Sequence, residues 1–309
     1  MATTITPNVR LSALPPAVGR AGLRGAMASE FTKLRSVRST YWTLGALFIV
    51  SVGLGVAITA GTAANMVNNP GNKAGFDATQ ASLGAFFEIG QLIIAVLGAM
   101  VITSEYSTGM IRTSLTAQPR RGVIYAAKAI VFTAVTLVIS LITAFVAFFI
   151  GQSFYSSKGV SASLFHTVTI PANANVTCNG PGPCTATFSG TDVISPSTVL
   201  TAIIGTALFV TIVALIAYGV GSIIRHTAGT IAIVIALLFI IPVLEQTLPD
   251  TWRWDIMRFL PDAATRVITA TVDGGNPHLW SAWPQLGVTA LWAVVLVGIG
   301  AYLFRKRDA

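Results

Sequence analysis

Two cysteines are the first residues of this sequence that could form a chemical site. Cys178 and Cys184 flank the sequence NGPGP, and the chain contains no other cysteine. Glycine and proline turns let chain segments approach closely, so we expect a disulfide, which indicates a compartment that permits oxidation. A metal site would need more ligands than two thiols without a nearby histidine, and a pair of free thiols is the third interpretation.

The five lysines bear on nucleotide chemistry. A phosphate-binding Walker A loop contains Gly-Lys followed by Ser or Thr, because the lysine and the backbone amides hold the phosphates. None of the five lysines follows a glycine. We therefore predict that the chain is not an enzyme, hydrolyses no ATP itself and holds neither a cofactor nor a metal.

One carboxylate stands inside an apolar run at 82–103. Glu88 is followed three residues later by Gln91, a spacing that puts both on one side of a helix. A lone carboxylate in lipid is costly, so Glu88 should face protein, water or substrate. A substrate pathway and a neutralised or internally paired carboxylate near the membrane surface are both open interpretations.

A polar, basic segment, TSEYSTGMIRTSLTAQPRRG at 103–122, separates two long apolar runs. Thr103 or Ser104 is a candidate N-cap, Glu105 would lie in the first turn where the helix dipole favours a negative charge, and Pro119 would end the helix. The pattern predicts a short helix of about three turns.

This short helix is amphipathic. Gly109 would let a neighbouring backbone approach closely, and Arg112 points away from the apolar face. The helix could be a handle by which a cytoplasmic partner moves two spans, or a stable interfacial helix without a partner. Its apolar face consists of Tyr106, Met110, Ile111 and Leu115.

The amino-acid composition indicates whether the helices that carry these residues lie in water or in a membrane. Only 10% of the 309 residues are charged, against about 25% in soluble domains. The net charge of +8 comes from short basic clusters at the ends of apolar runs rather than from one extended basic face. This pattern indicates a membrane protein and argues against a nucleic-acid partner.

Six apolar runs are long enough to cross a bilayer, which needs about 20 helical residues. They lie at 41–64, 82–103, 123–151, 197–224, 228–244 and 283–304. The sequence therefore predicts an all-α membrane protein with six transmembrane helices. It divides into an N-terminal segment, 1–40, and a transmembrane domain, 41–309, with a long outer loop at 152–196 and an outer link of short helices at 245–282.

The basic residues predict the orientation. An even number of spans puts both termini on one side, and 14 of the 19 lysines and arginines fall on that side. Cytoplasmic segments carry the excess of basic residues. We expect a multi-pass protein of the cell membrane with both termini in the cytoplasm.

The N-terminal segment contains a further amphipathic pattern from Leu23 onward. Its apolar positions are Met27, Phe31, Leu34, Val37 and Tyr41, with basic residues on the other faces. This spacing predicts a helix lying at the membrane surface, where its cationic side would meet anionic lipid. A basic flank that only enforces orientation is the alternative.

Two segments carry a resemblance to a known family. SEYSTGMIRTSLTAQPRR, residues 104–121, resembles the region between spans two and three of type-2 ATP-binding-cassette (ABC) exporter permeases, in which an acidic residue, a Gly, an Ile-Arg pair, a Leu and a Pro-x-Arg recur in that order. SEFTKLRSVRSTYWTL, residues 29–44, resembles the interfacial elbow helix that leads into the first span of these permeases.

The resemblance implies a function and partners. The segment after span two would be a cytoplasmic coupling helix that docks on an ABC-type ATPase, present in two copies and binding ATP and Mg. A second permease, identical or related, would complete the transport path for an amphipathic or hydrophobic substrate moving outward, and the link at 245–282 would be re-entrant. Glu88 and Gln91 would line the path, and the docking residues would be Glu105, Tyr106, Gly109, Ile111, Arg112, Leu115, Pro119 and Arg121.

Other classes of function make different demands on the sequence. A secondary transporter or channel without an ATPase would show several intramembrane charges or an internal repeat, and no repeat is visible. An intramembrane enzyme or signalling anchor would need paired catalytic groups or a soluble output domain. For the exporter, small residues on the first span, Gly45, Gly53, Gly55 and Gly61, predict contact with the second permease.

Overall fold

The computed structural model describes residues 22–110, 120–177, 185–268, 270–271 and 278–306. Among these described residues, six helices are long and apolar enough to cross a membrane: α2 (Arg38–Asn68), α3 (Ala78–Ser107), α4 (Arg121–Ser156), α5 (Pro196–Ile224), α6 (Thr227–Glu245) and α9 (Ala282–Lys306). They confirm the predicted all-α membrane fold. A seventh helix, α1 (Leu23–Ser36), precedes them, and Val37 in extended conformation separates α1 from α2.

Helices α3 and α5 form the centre of the bundle. Of the most apolar stretch of each helix, 67% is buried in α5 and 61% in α3, against 22% in α2, α6 and α9. Gly98 permits the close approach of the two central helices, because a Cβ there would lie 2.5 Å from the carbonyl oxygen of Ala214. Small residues bring helices together in lipid, where packing rather than the hydrophobic effect holds them.

The loop between α4 and α5 contains a β-hairpin that the sequence analysis did not predict. Strands β1 (Val168–Thr177) and β2 (Thr185–Ile194) pair antiparallel, with Val168 opposite Ile194. Ile170 and Ile194 are buried and pack against the helical core. The hairpin therefore caps one end of the bundle, and its buried side chains belong to the core that the helices form.

Short helices fill the link between α6 and α9, as predicted. They are α7 (Asp250–Met257), a 3₁₀ turn (Pro261–Ala264) and α8 (Thr265–Ile268). Side chains of α9 hold this link, since Thr289 Oγ1 donates to the Pro261 carbonyl at 2.9 Å and Trp292 Nε1 to the Phe259 carbonyl at 2.9 Å. Its re-entrant course relative to a membrane stays a prediction.

The start of α3 fixes another part of the same link. The Asp77 carboxylate caps α3 by accepting hydrogen bonds from the backbone N–H groups of Thr79 and Gln80. It also accepts from the hydroxyl and the backbone N–H of Thr271, at 2.8 and 2.5 Å. One carboxylate thus joins a helix N-terminus to a chain segment 194 residues away.

Helix α6 is irregular near its middle. Residues Ala236–Ile240 form a π-helical turn, in which the N–H of Ile241 donates to the carbonyl of Ala236. Pro242 lies two positions beyond this turn. In a regular α-helix its ring would clash with the Leu238 carbonyl, and the wider turn removes that clash.

Candidate functional site

Four charged side chains meet where α1, α3 and α4 come together, and we call them the ion cluster: Glu30 and Lys33 on α1, Glu105 on α3 and Lys128 on α4. Lys128 Nζ lies 2.5 Å from Glu30 Oε2 and 2.8 Å from Glu105 Oε1. Lys33 Nζ lies 2.8 Å from Glu30 Oε1 and 3.4 Å from Glu105 Oε1. Two ammonium groups and two carboxylates thus contact one another, and their four formal charges sum to zero.

Three members of the ion cluster are almost fully buried. The exposed fraction is 4% for Glu30, 5% for Lys128 and 8% for Glu105. Removing an ion from water costs several kcal/mol, and a close opposite charge with good hydrogen bonds has to offset that cost. Each of these charges therefore needs its partners in the ion cluster to offset the cost of burial. The same contacts hold α1, α3 and α4 in one relative position.

The ion cluster shifts the pKa values of its two members on α1, Glu30 and Lys33. Burial alone raises the pKa of Glu30, but the charge of Lys128 and hydrogen bonds from Lys128 and Lys33 outweigh it and bring the pKa below the usual 4.5. Burial alone lowers the pKa of Lys33, but its hydrogen bond to Glu30 and the charges of Glu105 and Glu30 raise the pKa above the usual 10.5. Both groups are charged at neutral pH.

The last turns of α3 also contact the connection between α5 and α6. The hydroxyls of Thr103 and Thr227 lie 2.7 Å apart. The guanidinium of Arg225 stacks over the ring of Tyr106 at 4.7 Å, and Arg225 adopts a left-handed conformation (φ 61°) at the end of α5. The end of α3 is thereby joined to four other helices, α1, α4, α5 and α6.

The predicted start of a separate helix at Thr103 or Ser104 is wrong. Helix α3 continues through these residues to Ser107, and the Thr103 hydroxyl donates to the Ala99 carbonyl inside the helix. Glu105 therefore lies in the last turn of α3, where the helix dipole disfavours a negative charge. The two lysines of the ion cluster compensate for that position.

Gly109 follows the end of α3 in a left-handed conformation, φ +71°, which favours glycine. A Cβ at Gly109 would meet nothing within 4 Å among the described residues, and the expected close approach of a neighbouring backbone stays a prediction. Arg121 begins α4 and is half-buried. Four predicted docking residues, Ile111, Arg112, Leu115 and Pro119, lie outside the described residues.

A cavity of about 410 Å³ lies between α3, α6 and the start of α8, toward the opposite end of α3. The two residues predicted to line a substrate path, Glu88 and Gln91, both lie in its wall. Gln91 is 1% exposed, and its Oε1 accepts no hydrogen bond from the part of the chain that the structure describes. Three further residues of the wall, Gln80, Gln246 and Thr265, are polar, and Asp262 adds a second carboxylate.

Two other predictions concern disulfide and metal chemistry. Cys178 and Cys184 lie outside the described residues, so the disulfide stays a prediction. Among the residues with described positions, no three His, Cys, Asp or Glu side chains are grouped so that they could hold a metal ion.

Sequence reasoning missed the ion cluster, although two features pointed to it. Lys128 lies inside the apolar run at 123–151, where a charge requires a partner. Glu30 is the one acidic residue among the first forty and interrupts the apolar pattern of α1. Asp262 gave no comparable indication, because it lies in a link of mixed polar and aromatic residues and does not interrupt a long apolar run.

The six long helices define a multi-pass membrane protein, and a comparison with known families shows to which family the chain belongs. Residues 63–309 match the model of the family described as "Protein of unknown function (DUF2705)". The chain belongs to this family, since the match covers well over half of its length. No curated protein matches the chain.

Proposed function

We propose that the protein is the membrane permease of an ATP-driven exporter. A separate ABC-type ATPase, in two copies and binding ATP and Mg, would drive an amphipathic or hydrophobic substrate outward. The observation that carries this proposal is the ion cluster, which locks the end of α3 to α1 and α4 next to the segment at 105–121. That segment is the one that resembles the coupling helix of type-2 exporter permeases.

A coupling helix must be rigidly attached to the spans that it moves, and the ion cluster provides such an attachment. If only a flexible connector joined the two spans, a force on the connector would deform it and would not move the spans. Buried ion pairs of good geometry hold their helices in place, because separating them leaves charges without partners. A force on 105–121 would therefore move α1, α3 and α4 together, with the surface helix α1 acting as the elbow.

A second permease completes the transport path in this proposal. Gly45, Gly53 and Gly61 of α2 support it, because a Cβ at any of them would meet none of the described residues within 4 Å, which leaves room for another helix. Gly55 differs, since its Cβ position lies 3.8 Å from Ala85 of α3. Two-fold pairing of identical or related chains is the simplest arrangement.

The proposed location is the cell membrane, with both termini in the cytoplasm. The end of α3, the start of α4 and the end of α9 meet at the basic face, where the Arg305 guanidinium packs against Gly122. Basic residues favour the cytoplasmic side. The hairpin and the predicted disulfide between Cys178 and Cys184 would then lie outside, where oxidation is permitted.

A secondary transporter or channel without an ATPase is the second candidate. Charged residues buried between membrane helices, such as Lys128 and Glu105, mark ion pathways in transporters of that class. Their mutual contacts at 2.8 Å favour a structural role instead, because a pathway needs a group that is open to its ion.

The test uses two glycines with the same backbone requirement. Gly109 (φ +71°) and Gly159 (φ +72°) both have open space around the Cβ position among the described residues, and they follow the C-terminal ends of α3 and α4. The chain is purified from its native membranes with its bound subunits and reconstituted. We expect an ATPase with Walker motifs in the complex, substrate-stimulated ATP hydrolysis that Gly109→Trp abolishes, and the same hydrolysis retained in Gly159→Trp.

Gly109→Asn adds a second control, because asparagine tolerates the left-handed conformation and adds little volume. We expect it to keep most of the stimulation. The proposal fails if the complex contains no ATPase, or if both tryptophan variants stimulate hydrolysis equally.

A further inference from the structure

The cavity beside Glu88 has the features of a binding site rather than of a packing gap. Its volume of about 410 Å³ lies within the range of small-molecule pockets. One wall is apolar and comes from the π-helical turn of α6, through Leu238 and Phe239. Such turns inside α-helices are frequent at functional sites.

The buried amide of Gln91 points to a missing ligand. Gln91 lines the cavity, and its buried Oε1 accepts no hydrogen bond from any residue that the structure describes. A buried acceptor left without a donor costs about 1–3 kcal/mol. A bound molecule that carries an N–H or O–H group would remove this cost.

The rest of the cavity wall indicates the charge of that molecule. Glu88 and Asp262 bring two carboxylates, and among the described residues that line the cavity none is basic. An ionised carboxylate has about four acceptor positions, so it can accept from a ligand in addition to any contact that it already makes. The site thus offers hydrogen-bond acceptors and negative charge beside an apolar surface.

We infer that this cavity binds the ammonium or guanidinium group of an amphipathic cation. The cationic group lies between Glu88 and Gln91, and the apolar body lies along Leu238 and Phe239. Such charge-assisted hydrogen bonds are about twice as strong as neutral ones. This inference rests on the proposed function for its context, because it names the class of substrate that the exporter moves.

The test measures binding to the chain alone, in lipid nanodiscs and without an ATPase. The probe is dansylcadaverine, a fluorescent amphiphile with one primary ammonium, and the matched ligand is its N-acetylated, neutral form. Binding to empty nanodiscs is subtracted. We expect the wild-type chain to bind the ammonium form at least about tenfold more tightly, which corresponds to about 1.4 kcal/mol.

Three variants test whether the preference for the ammonium form arises in the cavity. Glu88→Gln removes the charge at nearly constant volume and should reduce the preference at least about fivefold, and Gln91→Leu should reduce ammonium binding at least about threefold. Asp255→Asn is the control, because it removes an exposed carboxylate of the same link from outside the cavity. If Gln91→Leu does not fold, Glu88→Gln still decides the question.

The results separate this inference from the proposed function. Equal binding of the two ligands, or an unchanged preference in Glu88→Gln, overturns the cation site even if ATP hydrolysis responds to Gly109→Trp. A preference for the ammonium form that Glu88→Gln removes supports the site even if no ATPase accompanies the chain.

Discussion

The two ends of α3 carry carboxylates in opposite situations. Glu105 is buried and contacts Lys33 and Lys128, whereas Glu88 lines a cavity beside the unsatisfied amide of Gln91. The two carboxylates are 17 positions apart, roughly 25 Å along the helix axis. The charges of the ion cluster are matched within the cluster, and Glu88 can accept from a molecule in the cavity in addition to any contact that it makes inside the protein.

This difference separates a mechanical role from a binding role. A buried set of charges that is internally matched favours one arrangement of its helices, because any other arrangement exposes a charge to a medium that solvates it poorly. Acceptors that line a cavity can gain a further partner without rearranging the fold. We therefore expect stability to depend on the ion cluster and ligand binding to depend on the cavity.

The largest expected effect comes from removing the central cation of the ion cluster. Lys128→Met leaves Glu30 and Glu105 buried next to each other without their shortest partner, and we expect a loss of about 3–5 kcal/mol in the free energy of unfolding. Unfolding of the purified protein in detergent measures the loss.

Two variants control this result. Lys128→Arg keeps the charge and should lose less, and Lys306→Met removes an exposed lysine at the end of α9 and should change stability by less than about 0.5 kcal/mol. Similar losses in Lys128→Met and Lys306→Met would contradict a structural role for the ion cluster.

A smaller, pH-dependent effect is expected at Glu30. Its pKa in the folded protein lies below the usual 4.5, so folding favours the carboxylate. The stability that Glu30 supplies over Glu30→Gln, about 1–3 kcal/mol, should be complete above pH 4.5 and decrease as the pH falls through the lowered pKa. Lys33 should not change this range, because its pKa lies above 10.5.

Thermal unfolding of both proteins between pH 8 and pH 3 measures that difference. We expect a constant gap between wild type and Glu30→Gln from pH 8 down to pH 5 and convergence below. A gap that widens on acidification would mean that Glu30 is not held as a carboxylate.

The smallest expected effect is at the other end of α3. Glu88 is exposed to the cavity side, so Glu88→Gln should change the free energy of unfolding by less than about 0.5 kcal/mol. The same substitution at Glu105 should cost several times more, because it leaves the lysines of the ion cluster short of a negative charge. Equal losses at the two positions would remove the distinction between the two ends.

Local sequence patterns predicted some helices correctly and the start of another wrongly. The short helices at 245–282 were predicted because prolines interrupt an apolar and aromatic segment, and Pro249 and Pro261 do precede or begin such helices. The helix start at Thr103 was predicted wrongly, because a threonine can cap a new helix or bond back within an existing one. Its hydroxyl bonds back to the Ala99 carbonyl.

The sequence by itself determined the membrane class and the six spans. A bilayer sets a fixed requirement of about 20 apolar residues per helix, which can be counted without knowing any contact. It also located Glu88 and Gln91, because a polar residue in an apolar run stands out.

Only the tertiary structure decided which charges meet. Glu30 and Lys128 are 98 residues apart in sequence, and no local pattern relates them. Their pairing depends on how α1 packs against α4, and the cavity beside Gln91 depends on how the π-helical turn of α6 faces α3. Both follow from side-chain packing between distant segments, which composition and periodicity do not describe.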